Sequence, residues 1–192
     1  MSQQLQVFED SLYPTTIKEG PHLHGEVECV VRQGGKRGLR TFRGADGKPF
    51  QVWVPNGKVE AVFSGDNIAV NRIKTQLAHM VVGHETTTRF ANKMVWGTGG
   101  HAVGDPRTPI APLATDTSLE SQILTKNFAT FEFPTSTSVR MIAFILEAEA
   151  NGFTITEEGI VAADSTLIAR RTFPGLPKTE DFVFEFRHSL LF

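Results

Sequence analysis

Three observations predict a mainly β fold for this chain, with sandwich-like antiparallel sheets, one amphipathic helix near residues 66–82, and an α+β arrangement as the alternative. From Phe182 to Phe192, the residues Phe182, Phe184, Phe186, His188, Leu190 and Phe192 fall on one side of a two-residue alternation, with Val183, Glu185, Arg187 and Ser189 on the other. From Val139 to Glu147 both alternating sets are apolar, Ile142, Phe144 and Leu146 against Met141, Ala143 and Ile145, which asks for cover on both faces. Only one stretch repeats at helical spacing: Ala69, Ile73, Leu77, Met80 and Val81, with Ser64 or Asp66 as cap and Gly83 as stop.

Taken in order, residues 1–25 are polar, carry turn signals at Pro14, Gly20, Pro21 and Gly25, and read as an extended arm. A strand follows from Glu26 to Val31. The segment from Arg32 to Lys48 is rich in glycine and cations: Arg32, Lys36, Arg37, Arg40, Arg43 and Lys48 against Asp46. It reads as a solvated hairpin or loop, or as an arm that docks on an acidic surface or nucleic acid. Phe50 to Val54 and Lys58 to Phe63 read as two strands joined by a Pro55-Asn56-Gly57 hairpin turn. Arg89 to Trp96 reads as a strand, and Gly97 to Pro112 as an extended functional loop, because Pro106, Pro109 and Pro112 exclude a central strand or a long helix. Asn151-Gly152 marks a turn, Thr166 to Phe173 a strand, and the chain closes on a strand whose last residue, Phe192, is expected to be buried.

Composition narrows the function. The chain has 192 residues with a formal net charge of −2, which does not suggest a general nucleic-acid binder. It holds 15 Phe against one Tyr and two Trp, and Phe has no polar handle, so most of these rings belong in cores or interfaces. Met1-Ser-Gln-Gln-Leu-Gln has no basic region or apolar run, so no signal peptide is expected. No stretch approaches the roughly 18 apolar residues of a membrane span, so a soluble protein is expected. The lone Cys29 cannot form an internal disulfide.

No motif carries recognisable catalysis. His79, His84 and Glu85 lack the zinc-protease spacing and read as helix-end residues. His22 and His24 share a strand face with Glu26, but no Cys, Asp or Glu cluster completes a metal site. His101 reads as a loop contact or cap. Gly97-Thr-Gly-Gly-His-Ala102 fits the loose dinucleotide pattern, but prolines follow where that motif needs a helix. Cys29 lies in an apolar strand and reads as inert. The carboxylates Glu147, Glu149, Glu157 and Glu158 read as turn and surface residues. Neither cofactor nor metal is expected.

One ordered series of segments remains: Ser64-Gly-Asp66 with Ala69; Trp96-Gly-Thr-Gly-Gly-His101 with the prolines and Thr115-Asp-Thr-Ser-Leu-Glu120; Glu149-Ala-Asn-Gly-Phe-Thr-Ile-Thr-Glu157-Glu-Gly-Ile160; and Leu167-Ile-Ala-Arg-Arg-Thr-Phe173, followed by Lys178-Thr-Glu-Asp-Phe182 and Glu185-Phe-Arg-His-Ser-Leu-Leu-Phe192. Through these, roughly residues 64–192 resemble a family of tailed-bacteriophage virion proteins described as tail or structural proteins. One position departs: after Phe186-Arg187 the resemblance leads one to expect Trp, and this chain has His188. The resemblance implies a non-enzymatic particle component of the tail, neck (collar) or baseplate, assembled in the host bacterial cytoplasm. Its partners would be copies of itself, in a ring-symmetric homo-oligomer, and neighbouring virion proteins, with no membrane and no nucleic acid. A receptor- or glycan-binding fibre module is the alternative.

The expected organisation is an arm over 1–25, a mixed β/helix region over 26–112 and a β-rich region over 113–192 that could form one domain with it. The candidate interface residues are Arg32, Arg37, Arg40, Arg43, His101 and Phe192. The basic segment is expected to dock on an acidic face, which residues Glu147–Glu158 of another copy could provide.

Overall fold

The structure, a computed structural model, describes residues 24–81, 83 and 90–192. The expected arm apart from its last two residues, His22 of the His22 and His24 pair, and His84 and Glu85 of the helix-end cluster lie outside the described residues.

Nine strands form one antiparallel sheet: β1 (His24–Gln33), β4 (Val59–Ala69), β5 (Ala91–Gly97), β8 (Gln122–Asn127), β9 (Thr130–Thr135), β10 (Ser138–Ile145), β11 (Thr154–Ala162), β12 (Leu167–Pro177) and β13 (Phe182–Leu191). Their order is β8-β5-β11-β12-β4-β1-β13-β10-β9, which interleaves strands from before and after Pro112. The remaining elements among the described residues are two hairpins, β2 (Arg37–Arg43) with β3 (Pro49–Pro55) and β6 (His101–Ala102) with β7 (Asp105–Pro109), and one helix, α1 (Asn71–Val81). The fold is mainly β, as the alternation predicts. No helix among the described residues is long and apolar enough to cross a membrane.

β8 and β9 are the two edges of the sheet, yet only Phe128 and Ala129 separate them in the chain. So short a link forces the sheet to curl until its edges meet at that corner. The concave side encloses the main core, in which Trp96 stands 5.5 Å from Phe186 and Phe173 6.0 Å from Phe186, centroid to centroid. α1 adds Ile73 and Leu77 to it.

β10 shows why both of its alternating sets are apolar. Met141, Ala143 and Ile145 face the concave core, whereas Ile142 and Phe144 face outward under the β2–β3 hairpin, against Phe42, Val54 and Val183. β13 likewise has Phe184, Phe186, His188 and Leu190 inside and Val183 and Glu185 under the hairpin, all buried. Each buried Phe is worth roughly 1.5–3 kcal/mol by area.

Four expectations are corrected. The first hairpin does not turn at Pro55-Asn56-Gly57: β3 pairs with β2 through a turn in which Gly44 N donates to Lys48 O at 2.8 Å and Lys48 N donates to Asp46 Oδ1 at 3.0 Å. Pro55–Gly57 instead carries the chain from the hairpin back to the sheet, where Asn56 N donates to Lys36 O at 2.9 Å. The helix does not begin at Ser64 or Asp66. Those residues continue β4 opposite Glu28 and Glu26 of β1, and this pairing overrides their capping preference. The first helical amides find backbone carbonyls instead: Asn71 N donates to Ala114 O at 2.9 Å and Ile73 N to Val70 O at 3.1 Å. The proline-rich stretch is not wholly a loop, because it folds into β6–β7; proline is tolerated in a short strand away from a central ladder. Last, Phe192 is 59% exposed, because β13 ends at Leu191 and only the Phe192 amide is fixed, donating to Thr137 O at 2.9 Å.

Candidate functional site

The basic segment divides by strand alternation. On β2, Gly38, Arg40 and Phe42 face the sheet, and Arg37, Leu39, Thr41 and Arg43 face away. Arg40 Nη1 donates to Glu185 Oε2 at 2.7 Å, and Arg32 Nε donates to the same oxygen at 2.6 Å. Arg187 Nε donates to Glu185 Oε1 at 2.8 Å and its Nη1 to Glu28 Oε2 at 2.5 Å. Burial pushes the Glu185 carboxyl up, but the Arg40 hydrogen bond and the Arg187 and Arg32 guanidinia outweigh it and bring it down to about 2. Arg32 and Arg40 are thus committed to the chain's own core. Arg37 and Arg43 are exposed.

Gly97, Gly99 and Gly100 wrap a second buried carboxylate. Glu157 Oε1 accepts from Gly99 N at 3.2 Å and Ser121 N at 2.8 Å; Oε2 accepts from Glu120 N at 3.1 Å and from Arg170 Nε and Nη2 at 3.1 and 2.6 Å. Arg170 Nη1 donates in turn to Asp116 Oδ2 at 2.7 Å, and Gly100 N donates to Glu120 Oε2 at 2.6 Å. A Cβ at Gly97 would sit 2.4 Å from Glu157 Oε1 and 2.5 Å from Ser121 O, and Gly100 has φ +70°. The glycine run is therefore a close-approach cradle for a protein carboxylate, not a phosphate loop. His101 fastens its far end: Nδ1 lies 2.8 Å from Ala102 O and Nε2 3.0 Å from Thr98 O.

Glu158 points to the opposite side of β11. Its Oε1 lies 2.9 Å from His188 Nδ1, and the His188 Nε2 side meets the Asn67 amide, all three side chains being buried. Arg171 pairs with Glu158 across β11 and β12, and its Nη1 donates to Val27 O. Cys29 lies nearby, its thiol pushed up by burial and then by the Glu158 charge, which removes it as a nucleophile. Glu157 and Glu158 are not the surface residues that turn propensity suggests; both are wholly enclosed. Glu147 and Glu149 do lie at the turn, but engaged: Glu147 Oε1 accepts from Gly35 N at 2.7 Å, and Glu149 Oε2 accepts from Lys126 Nζ at 2.6 Å.

Lys178 is enclosed as well. Its Nζ donates to Thr179 O at 2.6 Å and Asn151 Oδ1 at 3.1 Å, joining the Asn151-Gly152 turn to the start of the last segment. Burial pushes its ammonium down, against the pull of Glu147 and Glu149.

The expected interface residues therefore do not form one cluster. Arg37 and Arg43 lie on the outer face of the hairpin, Arg32 and Arg40 beneath it, and His101 beside the glycine cradle. Phe192 stands at the rim of an apolar groove of about 610 Å³ lined by Ile73, Leu77, Phe128, Phe131 and Leu190. No group of three or more His, Cys, Asp or Glu among the described residues is placed to hold a metal ion. Spacing did not reveal the hubs at Glu157, Glu158 and Glu185, although one signal was present: the doublets Glu157-Glu158 and Arg170-Arg171 fall in adjacent antiparallel strands. No protein-family model matches the chain, and no curated protein or solved structure matches it either.

Proposed function

We propose that this chain is a non-enzymatic structural subunit of a tailed-bacteriophage particle, in the tail, neck or baseplate region. It works by assembly with copies of itself, in a ring-symmetric homo-oligomer, and with neighbouring virion proteins. One observation carries the reading. Most of the segments that bear the resemblance, Gly97–His101, Thr115–Glu120, the Glu157-Glu158 strand and the Arg170 strand, meet around a single enclosed carboxylate, Glu157. Their acids and bases hold one another and the backbone, which is the role of framework rather than of a site open to substrate. The exposed Arg37, Arg43 and Phe192 remain available to neighbours.

The test is light scattering on size-exclusion fractions, using the full chain alone and co-expressed with the proteins encoded beside it. Defined multimers or a stoichiometric complex support the reading. A monomer at every concentration, alone and co-expressed, would refute it, as would a hydrolytic activity lost on substituting Glu157 by Gln without loss of folding.

A further inference from the structure

The β2–β3 hairpin is fixed on one face and, among the described residues, unpartnered on the other. Its inner face buries Phe42 and Val54 against Ile142, Phe144 and Val183, and Arg40 anchors it to Glu185. On its outer face the register sets Leu39 directly opposite Trp53, at 55% and 61% exposure. Arg37 opposite Pro55 and Arg43 opposite Pro49 close the two ends of this face. Six residue steps along the strand, or about 20 Å, separate the two arginines.

We infer that this outer face is a docking surface for an acidic protein that carries an apolar recess between two carboxylate-bearing rims. Single exposed apolar side chains are ordinary on protein surfaces. Here a Trp and a Leu are paired in register on a rigid two-stranded element with an arginine at either end. Trp centres ringed by Arg are the composition of interface hot spots. Charge complementarity fixes the sign of the partner, since the strand residues of the outer face include Arg37 and Arg43 and no carboxylate; Glu147 reaches Arg37 from the side, and Asp46 in the turn is paired with Lys48. A second copy is not the occupant through residues Glu147–Glu158, because those carboxylates are engaged or enclosed within their own chain. Nucleic acid fits less well: it asks for a continuous cationic track with successive aromatic platforms, whereas here an aliphatic and an aromatic residue separate two cations. The inference rests on the assembly reading only in taking the partner to be a protein.

The molecule supplies its own reporter, because Trp96 is enclosed and Trp53 is exposed. The full chain is titrated with a synthetic peptide bearing a Leu-Phe centre between Glu clusters, with the same peptide carrying Lys for Glu, and with oligothymidylate. The proposal expects a blue-shift of tryptophan emission with the acidic peptide. It expects roughly tenfold weaker binding for the Lys peptide, for Leu39→Ser with Trp53→Phe, and for Arg37→Glu with Arg43→Glu, by anisotropy of labelled peptides. These outward substitutions leave the melting temperature in place. Equal binding of both peptides, no effect of the variants, or tighter binding of oligothymidylate overturns the proposal. The result is independent of whether the chain is found in particles, so failure here and failure of the assembly reading are separable.

Discussion

His188 Nδ1 lies 2.9 Å from Glu158 Oε1 inside the curled sheet, with both side chains wholly enclosed. Removing one partner strands the other in a medium that cannot solvate it, a loss of about 3–5 kcal/mol. Glu158→Ala should therefore lower the unfolding free energy by roughly 3 kcal/mol in a urea titration. His188→Trp, which installs the residue that the resemblance leads one to expect, should also destabilise, because it strands Glu158 and Asn67. Wild-type stability in either variant would show that the pair contributes nothing.

The Glu185 cluster makes a prediction about acid. Its carboxyl falls from 4.5 to about 2 on folding, so its contribution is complete above the unfolded value and disappears as pH drops through the folded one. The effect amounts to about 3 kcal/mol. Stability should decline between about pH 4.5 and pH 2. Glu185→Gln should be less stable at neutral pH and show a flatter profile across that window. Parallel profiles for the two proteins would remove Glu185 from the account.

The glycine cradle separates steric need from general flexibility. Gly97→Ala drives a methyl group into Glu157 and the Ser121 carbonyl, whereas Gly152 has a positive φ (+83°) but a Cβ there meets nothing within 4 Å. Gly152→Ala should cost about 1 kcal/mol in thermal unfolding, and Gly97→Ala roughly 2 kcal/mol or more. The reverse order would mean that the glycine run does not wrap Glu157.

At the C-terminus, Leu190 is enclosed and Phe192 is exposed. Leu190→Ala should cost about 2–5 kcal/mol, whereas Phe192→Ala should stay within roughly 0.5 kcal/mol in the isolated chain. If Phe192→Ala unfolds the isolated protein as much as Leu190→Ala does, the last residue belongs to the core after all.

Where alternation decides burial, the sequence was legible. The two apolar faces of β10 and the inner face of β13 follow from side-chain direction alone. Pairing was harder. Asp46-Gly47 and Asn56-Gly57 are equally good turn dipeptides, and only the burial of Phe42 and Val54 beneath one hairpin decides which of them closes it. Ser64 and Asp66 have the chemistry of helix caps, but nine residues of β1 pair with β4 and ten with β13, and this claims them for the sheet. The buried carboxylates stayed hidden because, Arg187 beside Glu185 apart, their neutralising arginines come from other strands, Arg32 and Arg40 for Glu185 and Arg170 for Glu157. The Glu-Glu and Arg-Arg doublets were the one trace of this arrangement.

Mass spectrometry of density-purified phage particles tests the central claim most directly. Peptides of this chain should appear at a fixed ratio to the other tail, neck or baseplate components and be retained after high-salt washing. Particles of full infectivity that lack the chain would contradict it.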